Sequence, residues 1–164
     1  MKKKIVNALN DQLNAEFFSA YLYFSMASYF RDNNLSGFTH WMEVQVQEEL
    51  GHCQKISTYI ADRRGRVSLD SIKKPQHDWK SPLDALEAAF DHERMISKRI
   101  NDLVKLTVDE NDNATYNFLQ WFVSEQVEEE ATVDSIVQNL KLIDGFGPGL
   151  FMLDKDMHSR SPQD

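Results

Sequence analysis

The sequence predicts an all-α protein: a four-helix bundle of two antiparallel hairpins joined by a long crossover, with a short fifth helix near the C-terminal end. Two observations predict this architecture. Apolar residues recur every three or four positions along four long segments, as on one face of an α-helix. Turn residues separate these segments, and only one connection is long. With 164 residues, 41% of them hydrophobic, we expect a single domain over residues 1–164.

The first helix is expected over residues 5–31, where one carboxylate, Glu16, interrupts the apolar stripe. A short turn follows, so the first two helices should be antiparallel neighbours. Ser36 is the predicted N-cap of the second helix, which should run to about Arg64 and end at Gly65.

The second helix carries the most informative stretch of the chain. Glu49 and His52 stand three residues apart, so both side chains face the same way on a helix. The stripe that contains them, from Phe38 to Tyr59, is otherwise mostly apolar. A buried carboxylate beside a buried imidazole needs a physical explanation.

The long connection, residues 66–80, shows no sustained period. Fully extended it would reach roughly 50 Å, more than the roughly 42 Å length of a helix of about 28 residues, so it can cross the whole bundle. Ser81 and Pro82 are the predicted N-cap and first residue of the third helix. One carboxylate, Glu93, interrupts the apolar stripe of that helix.

A short turn leads to the fourth helix, which should end before Gly145. Its apolar stripe is interrupted at Gln126 and Glu129. We therefore expect the bundle over about residues 5–143 and the short fifth helix over about residues 148–158.

The polar interruptions repeat between the two hairpins with a constant offset of 77 residues. The repeated pairs are Glu16 and Glu93, Glu49 and Gln126, and His52 and Glu129. Because 77 is a multiple of seven, matching apolar positions would follow from heptad phase alone. The coincidence of polar positions is more informative, and it indicates one shared site.

Carboxylates and an imidazole that converge in a bundle core would repel one another and would each cost several kcal/mol to desolvate. Divalent or trivalent cations remove that conflict. An oxygen-rich site with an imidazole suits iron or manganese better than structural zinc, and bridging carboxylates would hold two metal ions. A purely structural bundle would leave the matched polar positions unexplained.

Composition narrows the remaining possibilities. A formal net charge of −8 argues against a general nucleic-acid binder and favours attraction of cations. The single cysteine, Cys53, excludes an internal disulfide and fits a reducing compartment. No segment is apolar for the roughly 18 residues that a membrane helix needs. We expect a cytoplasmic protein with neither a nucleic-acid nor a membrane partner.

Four short motifs follow one another along the chain: Asn14-Ala15-Glu16 with Tyr23, Glu48-Glu49-Leu50-Gly51-His52, Asp91-His92-Glu93, and Glu125-Gln126-Val127-Glu128-Glu129. In this order they make the chain resemble the haem-free bacterial ferritins over essentially its whole length. The resemblance implies a ferritin-like bundle with two irons per subunit at a ferroxidase centre. Glu16, Glu49 and His52 would bind one iron, with Glu49 bridging. Glu93 and Glu129 would bind the other.

The resemblance also assigns roles to residues around the two irons. Gln126 would line the oxygen-binding side, and Tyr23 would supply an electron or a hydrogen bond. A third iron site is implied at Glu48, Glu125, Glu128 and Glu129. Haem is not expected, because Leu50 stands where haem-binding relatives have methionine and the second Glu-x-x-His pair is incomplete.

The function that the resemblance implies is iron storage and detoxification. Fe(II) would be oxidised by dioxygen or peroxide at the paired site, and ferric oxyhydroxide would be deposited in a hollow homo-oligomeric cage of 24 subunits. An alternative keeps the di-iron site but makes the protein an oxidase or peroxidase that acts on another substrate. That alternative would require a substrate pocket and a reductase partner.

Overall fold

The computed structural model describes residues 1–145 and 147–161, and within these residues the chain forms five α-helices and no strand. The helices are α1 (Lys3–Asp32), α2 (Ser36–Asp62), α3 (Pro82–Asp109), α4 (Asn113–Ile143) and α5 (Gly147–Met157). The predicted architecture, four bundle helices and a short fifth helix, is confirmed.

Hydrogen bonds between the hairpins fix the helix directions. They join Tyr23 to Glu93 and Gln12 to Arg99 between α1 and α3, and Gln45 to Glu129 and Tyr59 to Thr115 between α2 and α4. In each helix pair, residue numbers rise along one helix as they fall along the other, so both pairs are antiparallel. Because the short turn makes α1 and α2 antiparallel as well, α2 and α3 point in the same direction.

The crossover that this direction requires lies along α1. The side chain of Asn10 donates to the Arg66 carbonyl oxygen (3.0 Å) and accepts from the Ser68 N–H (2.8 Å). Four turns further along α1, the Ser25 hydroxyl donates to the Gln76 carbonyl oxygen (2.7 Å). The connection therefore ascends α1 as its own numbering ascends, and it returns the chain to the end of the bundle where α3 begins.

The prediction that Ser36 caps α2 is wrong, because its side chain accepts no bond from the first turn. Asp154 of α5 takes this role: its Oδ1 accepts from the N–H groups of Gly37 (2.8 Å) and Phe38 (3.0 Å). A Cβ atom at position 37 would lie 1.6 Å from the Asp154 carbonyl oxygen. Glycine is therefore required for α5 to dock on the start of α2.

The end of α2 also differs from its prediction. The helix stops at Asp62, and Arg64, not Gly65, adopts the left-handed conformation with φ of 54°. The Gly65 N–H then donates to the Ile60 carbonyl oxygen at 2.8 Å. A Cβ atom at position 65 would lie 2.9 Å from Ile60 Cγ2, so this glycine is needed for close approach and not for its φ.

The caps of the second hairpin follow local sequence. Ser81 Oγ accepts from the Asp84 N–H at 3.1 Å, and Pro82 is the first helical residue, as predicted. Asp112 caps α4 by accepting from the Thr115 N–H at 3.1 Å. Both caps satisfy N–H groups that a helix start leaves without an intrahelical partner.

Within the described residues, the buried apolar side chains form two clusters, one at each end of the bundle. On every bundle helix the predicted ligand positions fall between the two clusters: between Leu13 and Leu22, Met42 and Cys53, Ala89 and Ile96, and Phe122 and Val133. The polar positions thus form a layer across the middle of the core. Along the described chain, no helix combines the length and the apolar character that a membrane span requires.

Candidate metal centre

Six predicted ligand side chains meet in the polar layer, and all are buried, with at most 5% of any residue exposed. They are Glu16 from α1, Glu49 and His52 from α2, Glu93 from α3, and Gln126 and Glu129 from α4. Charged residues are rarely this buried unless they are paired or bind a metal ion.

The histidine half of the centre consists of Glu16, Glu49 and His52, each of which offers a ligand atom within 4.8 Å of the others. Nδ1 of His52 lies 3.7 Å from Glu16 Oε2 and 3.4 Å from Glu49 Oε2. Both carboxylate oxygens are buried without a hydrogen-bond partner among the described residues. Two unsatisfied carboxylate oxygens beside an imidazole nitrogen form a donor set suited to a cation such as Fe(II).

The pKa values of the histidine half reflect the same crowding. Burial raises the pKa of Glu49 well above its ordinary range. Burial opposes ionisation of Glu16 as well, but His52 and Gln12 lower its pKa overall. Burial would lower the pKa of His52, yet the two carboxylates raise it to about 11. A proton on His52 therefore offsets the charge of one carboxylate, and a bound metal ion would replace that proton.

The glutamine half consists of Glu93, Gln126 and Glu129, and its carboxylates are already hydrogen-bonded. The Tyr23 hydroxyl donates to Glu93 Oε1, and Gln126 Nε2 donates to Glu93 Oε2 at 3.1 Å. Gln45 Nε2 donates to Glu129 Oε2 at 2.8 Å. The two halves lie in the same polar layer of the core but differ in how their oxygens are satisfied.

Burial and the charge of Glu129 raise the pKa of Glu93 to about 8. Burial and the charge of Glu93 also raise the pKa of Tyr23 well above 10. The phenol therefore keeps its proton and acts as a hydrogen-bond donor to the carboxylate. A hydrogen bond is one of the two roles that the resemblance implies for Tyr23, and its part in iron oxidation stays a prediction.

The residues predicted to form a third iron site are brought together in part. Glu125 and Glu129 offer ligand atoms within 4.8 Å of one another and of His52. Glu128 is exposed. Burial, followed by the charges of Glu128 and Glu48, raises the pKa of Glu125, although His52 partly offsets this. The fourth residue, Glu48, forms an ion pair with Arg160.

Sequence reasoning missed the side chains that hold the ligands. Gln12 Nε2 donates to Glu16 Oε1 at 2.6 Å, and Arg99 Nε donates to Gln12 Oε1 at 3.0 Å. Gln12 stands four residues before Glu16, one turn away on the same face, so helical spacing could have found it. Gln45 lies on the core stripe of α2, and an amide on an otherwise mostly apolar stripe was the available sequence signal. In the structure this side chain is fully buried.

The fold and the polar layer define a class of protein: a four-helix bundle with a buried, carboxylate-rich group of side chains that could hold metal ions. The family profile described as a ferritin-like domain matches residues 6–143. The chain belongs to the ferritin family, and iron storage is its function.

Individual ferritins match nearly the full chain. The bacterial non-heme ferritin of Bacteroides fragilis is 42% identical over 160 residues, covering 98% of this chain and 99% of its own. The bacterial non-heme ferritin of Campylobacter jejuni is 41% identical over 155 residues, covering 94% and 93%. The open pore ferritin of the archaeon Archaeoglobus fulgidus superposes with a TM-score of 0.97 at 50% identity, covering 98% and 99%. An engineered closed form of that ferritin gives 0.98 at 49% identity, covering 99% of each chain.

Proposed function

We propose that this ferritin is a ferroxidase, which oxidises Fe(II) with dioxygen at the paired centre and stores the product as ferric oxyhydroxide in a hollow assembly of its own copies. One observation carries the proposal. Glu16 Oε2 and Glu49 Oε2 are buried, unsatisfied and directed at His52. Metal binding would satisfy both oxygens and offset the desolvation cost of the carboxylates.

The proposed reaction balances without a second cofactor. Two Fe(II) ions each give one electron to dioxygen, which takes up two protons and becomes hydrogen peroxide. Hydrolysis of the two Fe(III) ions by water yields ferric oxyhydroxide and releases protons. The carboxylates of both halves favour the product state, because their negative charges attract Fe(III) more strongly than Fe(II).

Exchanging one carboxylate oxygen for an amide nitrogen tests the ferroxidase proposal. Glu49→Gln should slow the fast phase of Fe(II) oxidation by more than about 100-fold, the upper end of what loss of an outer-shell partner costs, because a direct ligand is lost. The phase is followed by stopped-flow absorbance of Fe(III) with parallel measurement of oxygen uptake. Glu43→Gln is the matched control, since Glu43 lies on the same helix but its side chain is 48% exposed and pairs with Arg31.

Unchanged kinetics in Glu49→Gln would contradict the assignment of the centre. Rapid oxygen uptake in the wild-type protein without growth of a mineral core would instead favour an oxidase or peroxidase that uses another substrate. Electron microscopy of the iron-loaded protein shows whether a mineral core grows, and so distinguishes iron storage from oxidation of another substrate.

Exposed apolar side chains support the proposed assembly. On α1 and the crossover, Tyr21, Phe24 and Leu69 expose 47%, 56% and 64% of their surfaces, and on α5 Phe151 and Met152 expose 60% and 67%. Patches of this kind mark protein interfaces. Neighbouring copies of the chain would cover them in a closed cage of 24 subunits.

The assembly is tested by its mass. A cage of 24 chains of 19.1 kDa each should give a native mass of about 460 kDa by light scattering. Phe24→Glu should shift the protein towards smaller species, because it places a charge in the proposed interface. A monomeric wild-type protein would contradict the proposed cage while leaving the metal centre untouched.

A further inference from the structure

The C-terminal tail that follows α5 returns along α2 and places Arg160 beside Glu48. Nη2 of Arg160 pairs with Glu48 Oε2, and the two side chains are only 15% and 7% exposed. The guanidinium also lies 4.1 Å from the ring centroid of Trp41. Arg160 therefore occupies the cation position at a carboxylate that was predicted to bind iron.

The contacts that hold the tail do not involve the metal centre. His40 Nε2 lies 2.9 Å from the Arg160 carbonyl oxygen. The rings of His40 and His158 stack with their centroids 5.9 Å apart. Together with the cap that Asp154 forms on α2, these contacts set the level along α2 at which the guanidinium lies.

The pairing of Arg160 with Glu48 is incomplete. Nη1 of Arg160 is buried and has no hydrogen-bond partner within the described part of the chain. A buried donor without a partner costs about 1–3 kcal/mol. The guanidinium is therefore held less firmly than in a fully bonded buried ion pair, and a competing cation can displace it at lower cost.

The pair lies close enough to act on the neighbouring carboxylates. Burial raises the pKa of Glu129, the charge of Glu48 raises it further, and the charge of Arg160 lowers it. Because Glu129 belongs to both the glutamine half and the group with Glu125 and His52, Arg160 lies where the paired centre and the third-site residues meet.

We propose that Arg160 is a built-in counter-ion for the third-site residues: its guanidinium holds Glu48 until a metal ion displaces it. The proposal rests on the proposed function, since it takes the third-site residues as the next position for iron after the paired centre. Arg160 thereby favours filling of the paired centre before the third site. It is a positioning residue and takes no part in the oxidation itself.

Zinc binding to the assembled, metal-free protein tests this inference, because Zn²⁺ is redox-inert and reports affinity without oxidation. Isothermal titration calorimetry would compare the wild type with Arg160→Gln and with the double variant Arg160→Gln/Glu48→Gln. Lys155→Gln is the matched control, since it removes an exposed positive charge from α5. Size and helix content are checked for each variant.

Arg160→Gln should raise the affinity for the third Zn²⁺ per subunit by roughly ten- to hundredfold, the range typical of coupling between two ligands. The first affinity should stay unchanged, and the second, to which Glu129 contributes, should change by a smaller factor than the third. The gain should disappear in the double variant, because the competing pair no longer exists. Lys155→Gln should behave as wild type.

An unchanged third affinity in Arg160→Gln, with two tight sites intact, would overturn the proposal and leave the paired centre standing. Absence of tight Zn²⁺ binding in the wild type would instead count against the proposed function itself. If Arg160→Gln did not assemble, His40→Ala provides a second test, because it loosens the tail without removing the guanidinium. It should raise the third affinity by a smaller factor, and no rise would overturn the proposal.

Discussion

The two hairpins bring three side chains each to the same layer of the core, but they prepare those side chains differently. The α1–α2 hairpin leaves Glu16 Oε2 and Glu49 Oε2 without hydrogen bonds and supplies His52 beside them. The carboxylates of the α3–α4 hairpin instead accept hydrogen bonds from neutral donors: Gln126 of α4, Tyr23 of α1 and Gln45 of α2. Matching positions in a repeated architecture therefore need not give equivalent metal positions.

These differences in hydrogen bonding predict the order in which metal ions bind to the two halves. In the histidine half, a metal ion would replace a proton and would bind the two carboxylate oxygens that lack a hydrogen bond. In the glutamine half, it must share or displace hydrogen bonds that already exist, although His52 also offers a ligand atom within 4.8 Å of one from Glu129. The first cation should bind in the histidine half, and the second should bind more weakly.

Removing the imidazole of His52 should change the metal affinities more than any other substitution in either half. His52→Ala should lower the affinity for the first Fe(II) by more than about 100-fold, since it removes a proposed direct ligand. Gln126→Ala, a truncation in the other half, should leave the first affinity within about threefold and affect only the second. Anaerobic equilibrium binding of Fe(II) measures both affinities.

The predicted order of metal binding would be wrong if His52→Ala and Gln126→Ala gave the same binding curves. Equal losses would mean that the halves fill together as one unit, and that the observed hydrogen bonds do not rank them. Circular dichroism of both variants controls for misfolding, which matters because both side chains are buried.

The buried amides that hold the ligands provide a smaller perturbation of each half. Gln12→Leu should weaken the first metal by about tenfold, because Glu16 loses its hydrogen-bond donor. Gln45→Leu should weaken the second metal by a similar factor through Glu129. Neither substitution should alter the affinity of the other half, and binding titrations as above resolve the two effects.

A crossed result, in which Gln12→Leu weakened only the second metal, would show that the first cation does not enter the histidine half. Gln138→Leu is a suitable control, because this amide is exposed on α4 and bonds only to Asp134 among the described residues.

The fold and the layer of candidate ligands were predictable because the helical spacing of apolar and polar residues along each segment indicates both. Glu49 and His52 interrupt a mostly apolar stripe at helical spacing, and the stripe alone places them in the core. The 77-residue offset then pairs them with Gln126 and Glu129. A turn of three residues fixes the direction of α2 relative to α1 without any tertiary information.

The remaining features depend on contacts that are distant in sequence. Ser36 has the composition of an N-cap, but Asp154, more than 110 residues later, takes its place once α5 docks. Arg160 reaches Glu48 by the same docking. No local pattern identifies such partners, because their positions follow from the packing of a whole helix.

The N-caps of α2 and α4, the second helix of each hairpin, also differ, and here we expect only a small change in stability. Asp112 caps α4 and pairs with Arg63 (3.2 Å), whereas α2 depends on the remote Asp154. Asparagine also caps helices well, so Asp112→Asn removes the charge and keeps the cap. At neutral pH it should cost about 0.5–1 kcal/mol of unfolding free energy, as expected for a partly exposed ion pair.

The sign of the pH dependence follows from the pKa of Asp112. Burial opposes ionisation, but the bonds from Thr115 and Arg63 lower this pKa below 3.8 overall. A lowered pKa stabilises the fold above the unfolded-state value and loses that contribution as the pH falls through the folded-state value. The difference between wild type and Asp112→Asn should therefore shrink as the pH falls below about 3.8. Guanidinium unfolding at several pH values measures it, and a difference that grew towards acid would show that the charge of Asp112 does not stabilise the hairpin.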